Sequence, residues 1–267
     1  MSTVTVASVI ADLVAEQEAL DAVVAPLDAA DWELATPSPR WAIRDQIGHL
    51  AFFDETAALA INDPEGFIQH RNDFAASAMA NPKAGDERTL GATRAMTADE
   101  LLAHWRTCRN RLAEAASGCG EKDRIEWYGP SMGAKSFLTA RLMEAWAHGQ
   151  DICDTVGAER LATDRLRHIA QLGFITRGWT YINRKMDIPA GDVRVELQSP
   201  SGETWEFGPA DAAATIRGPA EDFCLVTSQR RNLADTSLQI DGAIAQEWLE
   251  MAQLFAGPPS NPPAPRS

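Results

Sequence analysis

Glu144 and His148 stand four residues apart in Glu144-Ala-Trp-Ala-His148, inside a run with helical periodicity. On an α-helix that spacing puts both side chains on one face, one turn apart. A carboxylate and an imidazole so placed can grip one divalent metal. His49 lies in a second amphipathic run, Trp41-Ala-Ile-Arg-Asp-Gln-Ile-Gly-His49-Leu50-Ala-Phe-Phe, and could supply a third ligand from a neighbouring helix. Two histidines and one carboxylate leave a position open on zinc, the pattern of a catalytic rather than a structural site. Asp151, three residues past His148, shares its face. It could be a fourth ligand or an acceptor that holds the imidazole in one tautomer.

The same spacing also serves ordinary surface pairs. Two features favour the metal reading. Glu144 is flanked by Met143, Ala145, Trp146 and Ala147, and a carboxylate in apolar surroundings needs a partner. The other histidines, His70, His104 and His168, have no carboxylate-histidine arrangement as good. His104 reads as surface or partly packed, His168 as exposed, and His70 as a residue that could line a cleft. The sequence carries no Gly-x-Gly-x-x-Gly, P-loop, His-Glu-x-x-His or Gly-x-Ser-x-Gly pattern.

The elements that must position these residues are mostly helical. Residues 4–27 carry apolar side chains at a helical period, as do residues 44–61. Asn62-Asp-Pro-Glu-Gly is a break. Residues 64–95 read as a short helix followed by a long loop. Thr97-Ala-Asp-Glu100 is a capping box opening a helix to about residue 116. A long helix over 135–156 stops at Gly157, and Thr163 is expected to cap a further helix to about residue 185. Four long antiparallel helices with long connections describe a bundle, a usual home for metal sites built from facing helices.

The pattern then changes. Val193, Val195 and Leu197 alternate with polar residues, Ser199-Pro-Ser-Gly202 is a turn, and Glu203 to Phe207 returns as the second arm of a hairpin. A third strand near 213–217, a helix entered through Pro219, a short strand at 238–240 and a closing helix over 243–255 complete a small α+β unit. The fold class is therefore α+β. The expected domains are a helical bundle over 1–187, a smaller α+β domain over 190–256 and a Pro-rich, disordered tail over 257–267.

Composition bounds the rest. The chain has 267 residues, 45% of them hydrophobic, enough for a sizeable core, and a net charge of −14. Acidity of that size disfavours nucleic acid and anionic membranes as partners. No apolar stretch approaches a transmembrane length, and the N-terminus lacks the basic start of a signal peptide. Cys108, Cys119, Cys153 and Cys224 are scattered and read as free thiols of a cytoplasmic protein.

The order of these elements resembles the DinB/YfiT-like metal-binding superfamily. More closely it is similar to actinobacterial proteins with a mycothiol-dependent maleylpyruvate isomerase metal-binding domain. The matching pieces are Trp41-Ala-Ile-Arg-Asp-Gln-Ile-Gly-His49-Leu50, Glu144-Ala-Trp-Ala-His148-Gly-Gln-Asp151, and the C-terminal segment from Ile216 to Arg231. The resemblance implies a DinB-like four-helix bundle whose metal, zinc or another divalent ion, is held by His49, Glu144 and His148. It implies mycothiol or a similar thiol as cosubstrate and a small-molecule electrophile as substrate. An arginine of the second domain, Arg230 or Arg231, would hold an anionic substrate group, and Arg71 is a first-domain candidate from its position. The activity so implied is a thiol-dependent isomerase or S-transferase, as a monomer or homodimer. A hydrolase or lyase using metal-bound water and a non-catalytic metal- or ligand-binding protein are the competing readings.

Overall fold

The computed structural model describes residues 4–81 and 85–266. The fold is α+β, and the chain divides into two compact units, Met1–Glu159 and Arg160–Ser267.

In the first unit, α1 (Val6–Val24) opens with a capping box between Thr5 and Ser8. α2 (Ile43–Asn62) is entered with Asp45 reaching back to the Ala42 amide. Asp63 then caps α3 (Pro64–Ala80), with proline in the first turn where its missing N–H costs nothing. α4 (Gly85–Arg94) precedes α5 (Ala98–Ser117), which has the expected Thr97–Glu100 capping box. A minimal hairpin, β1 (Arg124–Ile125) with β2 (Met132–Gly133), leads into α6 (Ala134–Val156). Gly157 ends α6 at φ +67°, a left-handed cap that favours glycine.

The four long helices close a ring, since α1 packs on α6, α6 on α2, α2 on α5 and α5 on α1. Leu20, Trp32, Ile43, Ile47, Leu101, Trp105 and Ile152 are among the side chains that fill one shared core. Residues 64–95 form two helices where the sequence suggested one and a loop. α3 buries only Phe67 fully and leaves Met79 exposed, so its apolar periodicity is faint. α4 lies close against α2 at Gly48, where a Cβ would stand 2.5 Å from the Thr93 Oγ1.

The second unit begins earlier than residue 187. α7 (Leu166–Ile175) packs on residues of the helix Ala220–Thr227 and the strand Thr204–Phe207, and α8 (Arg177–Asn183) follows it. Residues 163–185 are thus two helices, broken at Thr176, whose hydroxyl bonds back to the Leu172 carbonyl at 2.8 Å. Thr163 is not the cap. It contributes its carbonyl to the Leu166 amide, and Arg165 holds the cap position. The sheet comprises β3 (Val193–Gln198), β4 (Thr204–Phe207), β5 (Ala214–Pro219) and β6 (Gln239–Asp241) in the order β4-β3-β5-β6. β3 pairs antiparallel with β4 and parallel with β5, and β5 pairs antiparallel with β6. The register sets Val195 between Phe207 and Ile216 on the buried face. α9 (Ala220–Thr227) and α10 (Ala243–Glu250) pack on the sheet. α7 approaches α9 at Gly173, where a Cβ would meet the Thr227 hydroxyl at 2.9 Å. α10 stops short of the expected residue 255.

The Pro-rich tail is not loose over its described residues. Gln229 donates to the Ser260 carbonyl at 3.0 Å, Asn232 to the Pro263 carbonyl at 2.8 Å, and the Arg266 amide to Asp235 at 2.9 Å. Prolines lack N–H groups but keep carbonyls, and side-chain donors of the second unit use them. The four cysteines are free, and no helix among the described residues is long and apolar enough to cross a membrane.

A polar seam crosses the bundle. Gln17 of α1 donates to the buried Asp54 of α2 at 2.9 Å, and Arg109 of α5 donates to the Gln17 carbonyl at 2.7 Å. Burial pushes the Asp54 carboxyl up to about 7, against the opposing charge of Arg141. In an unfolded chain the same group titrates near 3.8. Between these values the folded state holds more protons, so stability falls as pH rises from about 4 to about 7, by on the order of a few kcal/mol. Asp54→Asn keeps an acceptor for Gln17 and removes the ionisation. Its melting temperature is expected to exceed that of the wild type by more at pH 8 than at pH 5. Equal shifts at the two pH values would show that Asp54 titrates as an ordinary surface carboxyl.

Candidate metal centre

α2 and α6 pack face to face, and the two runs singled out in the sequence meet between them. Gln46 and His49 lie one turn apart on α2, and Arg141, Glu144, His148 and Asp151 follow one another along α6. The Glu144 Oε2 stands 3.1 Å from the His49 Nε2 and 3.0 Å from the His148 Nε2. The two imidazole centroids are 4.5 Å apart. These three residues form a group whose ligand atoms all lie within 4.8 Å of one another.

The tautomer of His148 is fixed from behind. The Thr36 hydroxyl gives its proton to the Trp41 carbonyl at 2.9 Å, so its oxygen accepts from the Gln46 amide nitrogen at 2.8 Å. That nitrogen also points to the Asp151 Oδ2 at 3.4 Å. The Gln46 Oε1 is thereby turned to His148 and accepts from its Nδ1 at 2.5 Å. Nδ1 carries a proton, and Nε2 is the nitrogen turned toward Glu144. Asp151 had been expected to orient His148 itself. Gln46 is the group placed against the imidazole, and Asp151 stands one link further out, accepting from Ser38 at 2.8 Å and from Gln46.

The electrostatics suit a bound cation. Burial, reinforced by the neighbouring His148, pushes His49 down to about 4, so it is neutral at pH 7. Burial alone would raise the Glu144 carboxyl. Hydrogen bonds from His148 and His49 and the charge of Arg141 outweigh it and hold the group well below the usual carboxylate range. The Nε2 atoms of His49 and His148 thus face an ionised carboxylate at hydrogen-bond distance. A cation placed among these three atoms would take over the part that protons on the imidazole nitrogens play in these contacts. Two nitrogens and one oxygen match a zinc site with an open position. Trp41 stacks on His148 at 5.8 Å between centroids, and Phe53 covers His49 at 4.6 Å.

A second grouping, Glu55, His104 and Cys108, also has its ligand atoms within 4.8 Å. It is the poorer site. Burial, with the charges of Glu55 and Asp54, pushes the Cys108 thiol up to about 12, and Glu55 already faces Arg111 at 3.8 Å. Cys108 lies 3.6 Å from the His104 Nε2.

The remaining candidates fall elsewhere. Arg71 braces the segment before β2, donating to Glu126 at 3.2 Å and to the Trp127 carbonyl at 3.0 Å. Arg230 and Arg231 follow α9 in the second unit, where each donates to a nearby carbonyl at 2.7 Å. His70 bonds the Tyr128 hydroxyl at 2.8 Å. His168, expected to be exposed, is buried on α7. The residues that sequence reasoning passed over are Gln46, Thr36, Ser38 and Arg141. Gln46 and Arg141 carry a usable signal, since each lies three residues before a ligand on its own helix.

Two uncharacterized proteins of Mycobacterium tuberculosis, from strains CDC 1551 / Oshkosh and ATCC 25618 / H37Rv, are each 45% identical over 250 residues, covering 94% of this chain and 96% of theirs. The crystal structure of a mutant of the mycothiol-dependent maleylpyruvate isomerase superposes with a TM-score of 0.59 at 15% identity, covering 90% of this chain and 96% of the other. A second crystal structure of that isomerase gives 0.57 at 15% identity, covering 86% and 92%. At that identity the likeness is one of fold. The family model for the mycothiol maleylpyruvate isomerase N-terminal domain matches residues 13–153, a span that holds His49, Glu144 and His148. That match takes in more than half of the sequence, and the chain belongs to the mycothiol maleylpyruvate isomerase N-terminal domain family.

Proposed function

We propose that this chain is a divalent-metal enzyme, with zinc as the metal best suited to the donors, that uses a low-molecular-weight thiol of the mycothiol kind to attack an electrophilic small molecule. The observation that carries the reading is the convergence of the His49 Nε2, the His148 Nε2 and the Glu144 Oε2, with the His148 proton held on the far nitrogen by Gln46. Family membership and the fold of the mycothiol-dependent isomerase support the choice of a thiol over water. A cytoplasmic location and a monomeric or dimeric state belong to the same proposal.

His49, Glu144 and His148 would hold the metal, which when bound would let a coordinated thiol lose its proton at neutral pH. The chain's own groups do the rest. His49 and His148 would present their Nε2 atoms to the metal, and Glu144 would supply one negative charge. Gln46 keeps the His148 ring from turning, with Asp151 and Thr36 holding Gln46. Trp41 and Phe53 shield the imidazoles from water. A thiolate that adds to an activated double bond, allows rotation and then leaves returns the thiol and a cis–trans isomer. Addition or displacement without elimination gives an S-conjugate. Arg230 or Arg231 remains part of this proposal as a holder of an anionic substrate group.

Two measurements test the reading. With a chlorobimane as electrophile, turnover is expected only when both thiol and metal are present, and chelation is expected to abolish it. Metal-dependent ester hydrolysis with no thiol requirement would instead establish water as the nucleophile, and full metal loading with no turnover in either assay would establish a binding protein. Gln46→Met is expected to weaken metal binding about tenfold to a hundredfold by freeing the His148 ring, with a smaller loss in Asp151→Asn. The reverse order would show that Asp151, not Gln46, sets the imidazole.

A further inference from the structure

The side of α8 that meets solvent is apolar. Ile175, at the end of α7, and Trp179 and Ile182 on α8 stand at i, i+4 and i+7. The Thr176 amide donates to the Leu172 carbonyl and the Thr180 amide to the Thr176 carbonyl, so the helical period runs through the junction. The three side chains therefore share one side. Ile188 folds back onto it, its Cδ1 lying 3.4 Å from where a Cβ on Gly178 would stand. Met186 lies just past the end of α8. These five side chains are each between 37% and 60% exposed. Only three other large apolar side chains stand exposed among the described residues, Leu34, Met79 and Leu161, and they are scattered. Such a concentration marks a contact surface, where single exposed side chains do not.

The polar residues of the same stretch are engaged elsewhere. Arg177 donates to the Gly191 carbonyl at 3.0 Å and to the Pro189 carbonyl at 3.3 Å, which ties the loop carrying Ile188 to α8. Arg184 donates to the Thr180 carbonyl at 3.3 Å, and Thr180 and Tyr181 are buried. A helix that faces only solvent shows the reverse arrangement, polar outside and apolar inside. The Trp179 indole donates to the Phe255 carbonyl at 3.1 Å, which fixes the ring in place on the stripe.

Area and charge both indicate what covers this face. The five side chains together expose roughly 500 Å², so two copies laid face to face would remove roughly 1,000 Å² from water before any flanking residue is counted, the size at which a specific protein–protein contact begins. The chain carries a net charge of −14, so two copies repel over most of their surfaces. Residues 175–186 hold Arg177, Arg184 and Lys185 and no acidic residue. A second copy meets least repulsion there. Gly178 lies at the middle of the stripe and puts no side chain between two helices that cross over it.

We infer that this face is a homodimer interface, in which α8 of one copy packs antiparallel on α8 of a second about a two-fold axis near Gly178. Ile175 of each copy then meets Ile182 of the other, the reciprocal pattern of an isologous contact. Of the monomeric and dimeric states proposed above, this selects the dimer, and it depends on neither the metal nor the thiol.

The test is the mass of the full chain in solution, by light scattering after gel filtration, from about 1 to about 100 µM, the range in which a contact of this size associates. Twice the chain mass of 29.0 kDa is expected at the upper end. Ile175→Glu and Ile182→Glu should each weaken dimerisation about a hundredfold, since symmetry places every substitution in the interface twice. Both side chains are exposed in the single copy, so metal content and the melting temperature of the dilute, monomeric protein should not fall. Met79→Glu replaces an exposed apolar side chain outside the stripe and should leave the dimer intact. Should a glutamate variant fold poorly, Ile182→Gln, which adds no charge, decides in its place. Wild-type protein that stays monomeric at about 100 µM, a dimer that persists in both stripe variants, or a dimer lost equally in Met79→Glu would overturn the inference. Monomeric protein that binds anionic lipid vesicles through Trp179 and Ile182 would also overturn it, by making the face a membrane contact.

Discussion

Glu144 is a carboxylate held ionised inside a helical bundle, and the arrangement around it follows from that cost. Burial of a charge is unfavourable by several kcal/mol unless it is matched. Here the match comes from three directions: His148 on its own helix, His49 across from it on α2, and Arg141 one turn back. α2 and α6 must therefore approach closely and in one register. Gly48 lets α4 close on the outer side of α2, and the Gln46 amide ties α2 to His148 from within.

Much of this is legible in the sequence. The i, i+4 spacing of Glu144 and His148 gives a shared face on any α-helix, and the apolar flanks of Glu144 signal burial. His49 could be assigned only because its run resembles a known one, since a lone histidine on an apolar face is more often packed core. Gln46 escaped notice because a glutamine becomes a tautomer clamp only through tertiary contacts with Thr36 and Asp151, which lie 10 and 105 residues away in sequence. Arg141 escaped because its neighbours Phe53 and Trp127 come from outside its own helix.

The fold was read with similar strengths and weaknesses. Capping at Thr97 and the glycine stop at Gly157 are local rules, and they hold. α3 carries too few apolar residues for its length to show a clear stripe. The break at Thr176 and the start of the second unit depend on α7 packing against α9, a contact between segments some fifty residues apart. The tail's composition resembles that of disordered segments, but its carbonyls meet Gln229 and Asn232, which composition does not reveal.

The central claim is that His49, Glu144 and His148 together hold a divalent cation. It is tested most directly by elemental analysis of the purified protein beside His49→Ala and His148→Ala, each checked for retained helicity. The account predicts close to one zinc or similar ion per chain in the wild type and its loss in both variants. Folded wild-type protein that takes up no metal when offered zinc, or metal content unchanged by both substitutions, would contradict it.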